Sequence, residues 1–278
     1  MLVSMKEILQ HAYEGGYGVI APSMQSEGQM KAAIAAAEEL NSPIILNNRY
    51  DRFDDDFYMY AEIEKARASM ARVPVAINQD HGTTFKEAMA AIHAGYTSIM
   101  VDRGDLPYEE NIAQVADLVR IAHACGVTVE GELGEMVDGY ASREEAKKHG
   151  TNPDLCADYV KRTGIDCLAV AIGNRRGTFK GDDKYIDFET LEKIRNNVDI
   201  PLVLHGGSGC GDENIAKACK MGICKINVGT SLRFNARDKF LEKSEDKYHL
   251  EWWKIQDAAY KELILKKIKI FGSENKAW

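Results

Sequence analysis

Val203-Leu-His-Gly-Gly-Ser-Gly209 ends an apolar run, Pro201 to Leu204, on a histidine and then opens into a turn of small residues. A buried strand that delivers one imidazole beside free backbone N–H groups suits a metal ion next to a phosphate. Glycine there lets the backbone approach a ligand closely. An ordinary strand-to-helix turn has the same composition, so the weight of the stretch depends on whether its arrangement recurs along the chain.

It recurs. Short apolar runs alternate with helical stretches on both sides of it. The expected strands are Tyr17-Ala21, Pro43-Leu46, Val73-Asn78, Ser98-Val101, Thr128-Glu132, Cys167-Ile172, Leu202-His205 and Cys224-Val228. Glu27-Leu40, Phe85-Gly95, Asn111-Cys125, Asn152-Arg162, Phe188-Asn196 and Asp212-Met221 carry apolar residues at helical spacing between them. Gly95, Gly126, Gly164 and Gly222 stop helices before the next strand. Eight such units predict an α/β TIM (β/α)8 barrel over residues 1–278 as one domain, with Glu251-Ile270 as a C-terminal helical extension. A doubly wound open sheet is the rival, and the count of eight favours the barrel.

Length and composition narrow the partners. The 278 residues, 45% hydrophobic, can bury a sizeable core, and the net charge of −8 argues against nucleic acid as a partner. No apolar run reaches the roughly 20 residues that span a bilayer, and Met1 to Gln10 does not read as a signal peptide. The six cysteines show no C-x-x-C spacing and read as small buried thiols, so a cytoplasmic protein is expected.

In a barrel, chemistry belongs at the carboxyl ends of the strands. Asp80-His81 follows the third strand, Asp102-Arg103 the fourth, and Glu130 and Glu132 end the fifth. Asn174-Arg175-Arg176-Gly177 follows the sixth, His205 the seventh, and Asn227 to Ser231 the eighth. An aspartic acid beside an imidazole can move a proton while a bound metal polarises a carbonyl; a turn aspartate with a solvated histidine is the plainer alternative. Glu130 and Glu132 are two apart on a strand and share its inner face, either for chemistry or as a structural ion pair with a barrel lysine or arginine. Gly206, Gly207, Ser208 and the Asn227-Val228-Gly229-Thr230 turn form the small-residue loops where this fold binds phosphate, with Lys180 available as a cation. His11, His93, His123, His149 and His249 read as structural or solvated.

Taken in order, these segments resemble the class II fructose-bisphosphate and tagatose-bisphosphate aldolases. The resemblance covers Ser42-Pro-Ile-Ile-Leu46, Gln79-Asp-His81, His93-Ala-Gly95, Leu106-Pro-Tyr-Glu-Glu-Asn111, Val129-Glu-Gly-Glu-Leu-Gly134, Leu168-Ala-Val-Ala-Ile-Gly173, Pro201 to Gly206, Lys225-Ile-Asn-Val-Gly-Thr230 and Lys269-Ile-Phe-Gly-Ser273. It implies a lyase of carbohydrate metabolism that cleaves a ketose phosphate reversibly into a dihydroxyacetone-phosphate-like product and an aldehyde. It also implies Asp80 as the acid/base, zinc on His81 and His205, and Glu132 as a carboxylate for a displaced or second metal. Gly177, Lys180, Gly206 to Ser208 and Asn227 to Thr230 would cradle the substrate, and Asn227 would stabilise the enediolate. A homodimer or homotetramer is expected.

This chain departs from the family pattern inside the site. Arg176 stands where the pattern places the middle zinc-binding histidine, and arginine cannot ligate a cation. Ala21-Pro-Ser-Met24 lacks the asparagine, Asp102-Arg103-Gly104 replaces Asp-Gly-Ser, and Glu135-Met-Val-Asp-Gly139 is a shortened loop. Three readings follow: an aldolase with zinc on His81, His205 and Glu132; a metal-free isomerase or epimerase in which Arg176 and Arg103 stabilise the enediolate; and a non-catalytic sugar-phosphate sensor. The acid Asp80 at the mouth favours catalysis.

Overall fold

Each strand of the chain leads outward to a helix that returns it to the start of the next, and the strands pair in parallel throughout. A computed structural model describes residues 1–50, 56–177, 184–243 and 251–278. The strands are β1 (Val19–Pro22), β2 (Ile44–Asn48), β3 (Val75–Gly82), β4 (Ser98–Val101), β5 (Thr128–Leu133), β6 (Cys167–Val170), β7 (Leu202–Leu204) and β8 (Ile223–Val228). The helices are α1 (Met5–Gly15), α2 (Glu27–Glu39), α3 (Phe57–Met70), α4 (Phe85–Ala94), α5 (Tyr108–Ala124), α6 (Arg143–Lys148), α7 (Pro153–Thr163), α8 (Phe188–Asn197), α9 (Asp212–Lys220), α10 (Thr230–Lys243) and α11 (Trp252–Phe271).

The sheet runs β1-β8-β7-β6-β5-β4-β3-β2, and an isolated bridge between Ser23 and Asn47 brings its two ends together. The strands are therefore a TIM barrel, as the count of eight predicts. The largest change from expectation is in β3, which runs on to Gly82 with a register shift between Gln79 and Gly82. Asp80 and His81 thus lie within the irregular end of that strand, not after it.

Two cores hold the barrel. Alternate strand residues such as Ile44, Leu46, Ile77, Ile99, Leu168 and Ile226 pack outward against the helices. The inner residues Ile45, Ala76, Met100, Ala169 and Val203 pack against α1, which the sequence reading did not assign. Its Met5, Ile8, Leu9 and Ala12 recur at three and four residues and are fully buried. The Ser4 hydroxyl caps α1 by accepting from Glu7 N at 3.2 Å, and Lys6 N donates to Thr128 Oγ1 at 3.0 Å. With that end plugged, polar groups inside the barrel face only the carboxyl ends of the strands. The expected terminal helix is α11, which packs on α2 and α10. Among the described residues, no helix is long and apolar enough to cross a membrane.

Candidate active site

The alternation of strand residues decides which side chains reach the barrel axis. On β8, Ile226 and Val228 belong to the outer core, so Lys225 and Asn227 point inward. On β5 the same parity turns Glu130 and Glu132 inward. The two glutamates then meet different neighbours. Glu130 Oε1 lies 2.7 Å from His205 Nε2 and its Oε2 accepts from Lys225 Nζ at 2.7 Å, with no exposed surface on either charged side chain. Burial alone would raise the Glu130 carboxyl; Lys225 and His205 overcome it and hold it down to about 2. Glu130 is therefore the structural ion-pair partner, and Glu132 faces the mouth. Burial and the nearby Asp102 push Glu132 up to about 8, and its Oε2 has no hydrogen-bond partner.

His81 sits at φ 52, a left-handed conformation unusual for a residue with a side chain. The strand irregularity aims its ring across the barrel, where Nδ1 lies 2.8 Å from Asp102 Oδ2 and Nε2 lies 3.1 Å from His205 Nδ1. Burial works to lower the His81 pKa, but Asp80, Asp102 and Glu132 leave it raised. His205, by contrast, is lowered, first by burial. Asp80 is also buried; His81, His205 and Lys225 outweigh the desolvation and keep it below the ordinary carboxylate value. Asn227 Nδ2 donates to Asp80 Oδ1 at 3.0 Å, while Asn227 Oδ1 has no partner.

Glycine is needed at the turn after β7. Gly206 has φ 67, and a Cβ there would meet Arg175 O at 2.4 Å; one on Gly207 would meet Ile226 Cγ2 at 2.5 Å. Ser208 Oγ accepts from Ser231 N at 3.1 Å, which joins this turn to the start of α10. The cleft above holds about 170 Å³ and is lined by Asp80, His81, His205 and Asn227 together with Gly177, Gly206, Ser208, Gly229 and Thr230. Arg49, Arg176 and Arg233 bring positive charge to its walls. A second cavity of about 280 Å³ shares Arg176 and is lined by Asp102 and Glu132.

Several expected site residues sit differently. Lys180 and His249 lie outside the described residues. Gly207 is buried beneath the turn, and Val228 turns its side chain into the outer core. Val228 still contributes locally, because its carbonyl accepts from Ser23 N at 3.0 Å. Arg103 is buried and turned aside: its NH1 donates to Gly82 O at 2.9 Å and Asp102 O at 2.7 Å, and Nε donates to Gln114 at 2.9 Å. It braces the ends of β3 and β4, which leaves Arg176 alone for the metal-free reading. Arg176 is exposed, with its N–H on Val137 O at 2.9 Å. The sequence reading missed Asp102 as the partner of His81, Lys225 as the partner of Glu130, and Arg233. Lys225 was signalled by its spacing of two from Asn227, and Arg233 by its place one turn after Thr230.

The donor set suits a cation. Asp80, His81 and His205 offer ligand atoms within 4.8 Å of one another, and so do His81, Asp102 and Glu132. The expected trio of His81, His205 and Glu132 is thus divided between two groups that share His81. Glu130 and Asp102 accept from the outer ring nitrogens, so the inner nitrogens turn toward one another at 3.1 Å. Two neutral imidazoles held this way would oppose lone pairs. A proton or a metal ion between them removes that conflict.

The model of fructose-bisphosphate aldolase class-II matches residues 3–276. This chain belongs to that family. It is 40% identical over 289 residues to the fructose-bisphosphate aldolase of Geobacillus stearothermophilus, covering 99% of both chains. The probable fructose-bisphosphate aldolase of Bacillus subtilis is 37% identical over 287 residues, again with 99% of each covered. Among solved structures, the YdjI aldolase from Escherichia coli K12 superposes with a TM-score of 0.88 at 34% identity over all of both chains. The aldolase-family scaffold therefore extends through the whole chain, including the position of Arg176.

Proposed function

We propose that this chain cleaves and forms a carbon–carbon bond in a ketose phosphate, with a dihydroxyacetone-phosphate-like fragment and an aldehyde as products, and that His81 and His205 hold zinc. The convergence of Asp80, His81, His205 and Asn227 on one cleft carries the reading. Zinc bound there would act as a Lewis acid toward the substrate carbonyl. His81 and His205 supply nitrogen donors, with Asp80 close to both and the Asp102–Glu132 carboxylates on the other side of His81. Asp80, kept ionised by its neighbours and held by Asn227, would exchange a proton with the aldehyde oxygen. The Asn227 amide presents N–H to oxygens that gain charge when the donor fragment becomes an enediolate.

Phosphate binding is supported by the Gly206 turn, Ser208, Gly229 and Thr230, with Arg233 as the counter-charge and the start of α10 behind them. Arg176 lines the second cavity with Asp102 and Glu132; its charge adds to what holds the Asp102 carboxyl down and partly offsets the burial that raises Glu132. We read residues 1–278 as one such catalytic unit, assembled as a homodimer or homotetramer and located in the cytoplasm. Exposed Phe234, Leu241, Trp252 and Trp253 on α10 and α11 support the assembly, which sedimentation measures.

The half-reaction gives a test that needs no knowledge of the aldehyde. Dihydroxyacetone phosphate incubated with zinc-loaded protein in deuterated water should exchange a C3 hydrogen, and a panel of aldehydes should then consume it. Absence of both exchange and consumption overturns the proposal.

A further inference from the structure

Lys225 and Glu130 are both fully buried, and neither is among the residues lining the cleft. An ionised carboxylate only accepts hydrogen bonds, so the His205 nitrogen 2.7 Å from Glu130 Oε1, Nε2, is the one that carries hydrogen. The lone pair of neutral His205 is then on Nδ1, which faces His81 Nε2 at 3.1 Å. Lys225 is a donor with no acceptor and occupies the other carboxylate oxygen at 2.7 Å. That contact keeps Oε2 from turning toward the cation-binding groups. It also fixes which oxygen is left for His205.

We propose that Lys225 and Glu130 are a positioning pair that sets the tautomer of His205 and presents its Nδ1 lone pair to the mouth of the barrel. Neither residue touches substrate. The proposal rests on the reading of His205 as a cation ligand only for what Nδ1 binds; the tautomer itself is independent of it. The division of labour between the two glutamates of β5 follows. Glu132 faces the cleft side with an unpartnered oxygen, and Glu130 works from behind the imidazole.

The pair makes an unusual demand on the variant Glu130→Gln. Lys225 must keep the amide oxygen, because it cannot accept from the amide nitrogen. The amide NH2 is then left pointing at His205 Nε2, which becomes an acceptor, and the hydrogen moves to Nδ1. Adding Lys225→Met frees the amide to rotate and offer its oxygen to Nε2 again. A second substitution at a buried site should therefore restore what the first removes, an outcome that simple loss of packing does not produce.

Nitrogen-15 spectra of histidine-labelled, metal-free protein read this directly, with His205 assigned by the signal lost in His205→Gln. The expected results are hydrogen on Nε2 in the wild type, on Nδ1 in E130Q, and on Nε2 again in E130Q/K225M. Zinc affinity should fall by about 10–100-fold in E130Q and recover in the double variant. If E130Q does not fold, the wild-type and double-variant spectra still decide. Hydrogen on Nδ1 in the wild type, an unmoved hydrogen in folded E130Q, or no restoration in the double variant overturns the proposal. If the tautomer moves as stated and zinc affinity does not, the positioning pair stands and the reading of His205 as a ligand falls.

Discussion

Asn227 reaches from β8 across the barrel mouth to Asp80 at the end of β3 and donates to its Oδ1 at 3.0 Å. The contact orients a carboxylate that is buried yet kept ionised by His81, His205 and Lys225. It leaves Asn227 Oδ1 without a protein partner and Asp80 on the wall of the cleft. In the proposed reaction this carboxylate is the acid/base.

Asp80→Asn preserves size and removes the transferable charge. In steady-state cleavage assays kcat should fall by about 10²–10⁴-fold while KM changes little, the size of effect a positioned acid/base commands. A rise confined to KM would assign Asp80 to binding instead.

Zinc binding should be coupled to proton release. The His81 pKa is raised and its Nε2 faces His205 Nδ1 at 3.1 Å, so a metal bound between the two rings would compete with a proton there. Affinity should therefore weaken as pH falls through the His81 titration. Calorimetry in buffers of different ionisation enthalpy counts the protons released. A count of zero would place the ion elsewhere.

The barrel was legible because its signals are local and repeated: apolar runs at strand length, helical spacing between them, glycines at the junctions. The inward parity of Glu130 and Glu132 was legible for the same reason. Their different roles were not, since Lys225 is 95 residues away from Glu130 in sequence and only strand register brings them together. The partnership of His81 with Asp102 depends on the irregular end of β3, which no periodicity announces. Arg103 looked like a site cation because it follows a strand. Its side chain instead finds three backbone and amide oxygens behind the site.

Glu64 was equally silent in the sequence. It is fully buried on α3, accepting from Tyr96 Oη at 2.6 Å and from the Asn48 amide, and burial pushes it up to about 8. Its folded pKa exceeds its ordinary value of 4.5, so the folded state binds the extra proton between about pH 4.5 and 8. Stability tied to this group is thus lost as pH rises through that window. Glu64→Gln should flatten the dependence and stabilise the protein at pH 8, on the order of a few kcal/mol. Denaturant melts across the window measure this, and parallel curves for the two proteins would refute it.

Arg233 sits near Thr230, with its NH2 3.5 Å from the threonine hydroxyl, and lines the cleft beside Gly229. Losing a hydrogen bond to a charged group costs about 1.5–3 kcal/mol, so Arg233→Ala should raise KM for a ketose monophosphate by roughly 10–100-fold. Inorganic phosphate should then raise Tm less than it does in the wild type. Unchanged phosphate stabilisation would move the anion site away from α10.

Arg176 stands where the resemblance implies a zinc-binding histidine. Its charge helps hold Asp102 down and partly offsets the rise of Glu132, and its side chain is exposed on the wall shared by both cavities. Arg176→His places a third imidazole near His81 and removes a cation that opposes a metal. Zinc affinity should increase, and cleavage should be preserved or raised, because Asp80, Asn227, the two facing histidines and the Gly206 turn are untouched. If arginine instead stabilises charge at the reacting oxygens, the same change should cost on the order of 10²–10³ in rate, with no rescue by added zinc. Zinc titration and turnover measured on one preparation separate the two. Tighter zinc with abolished turnover would show that this site has exchanged metal electrostatics for a fixed guanidinium.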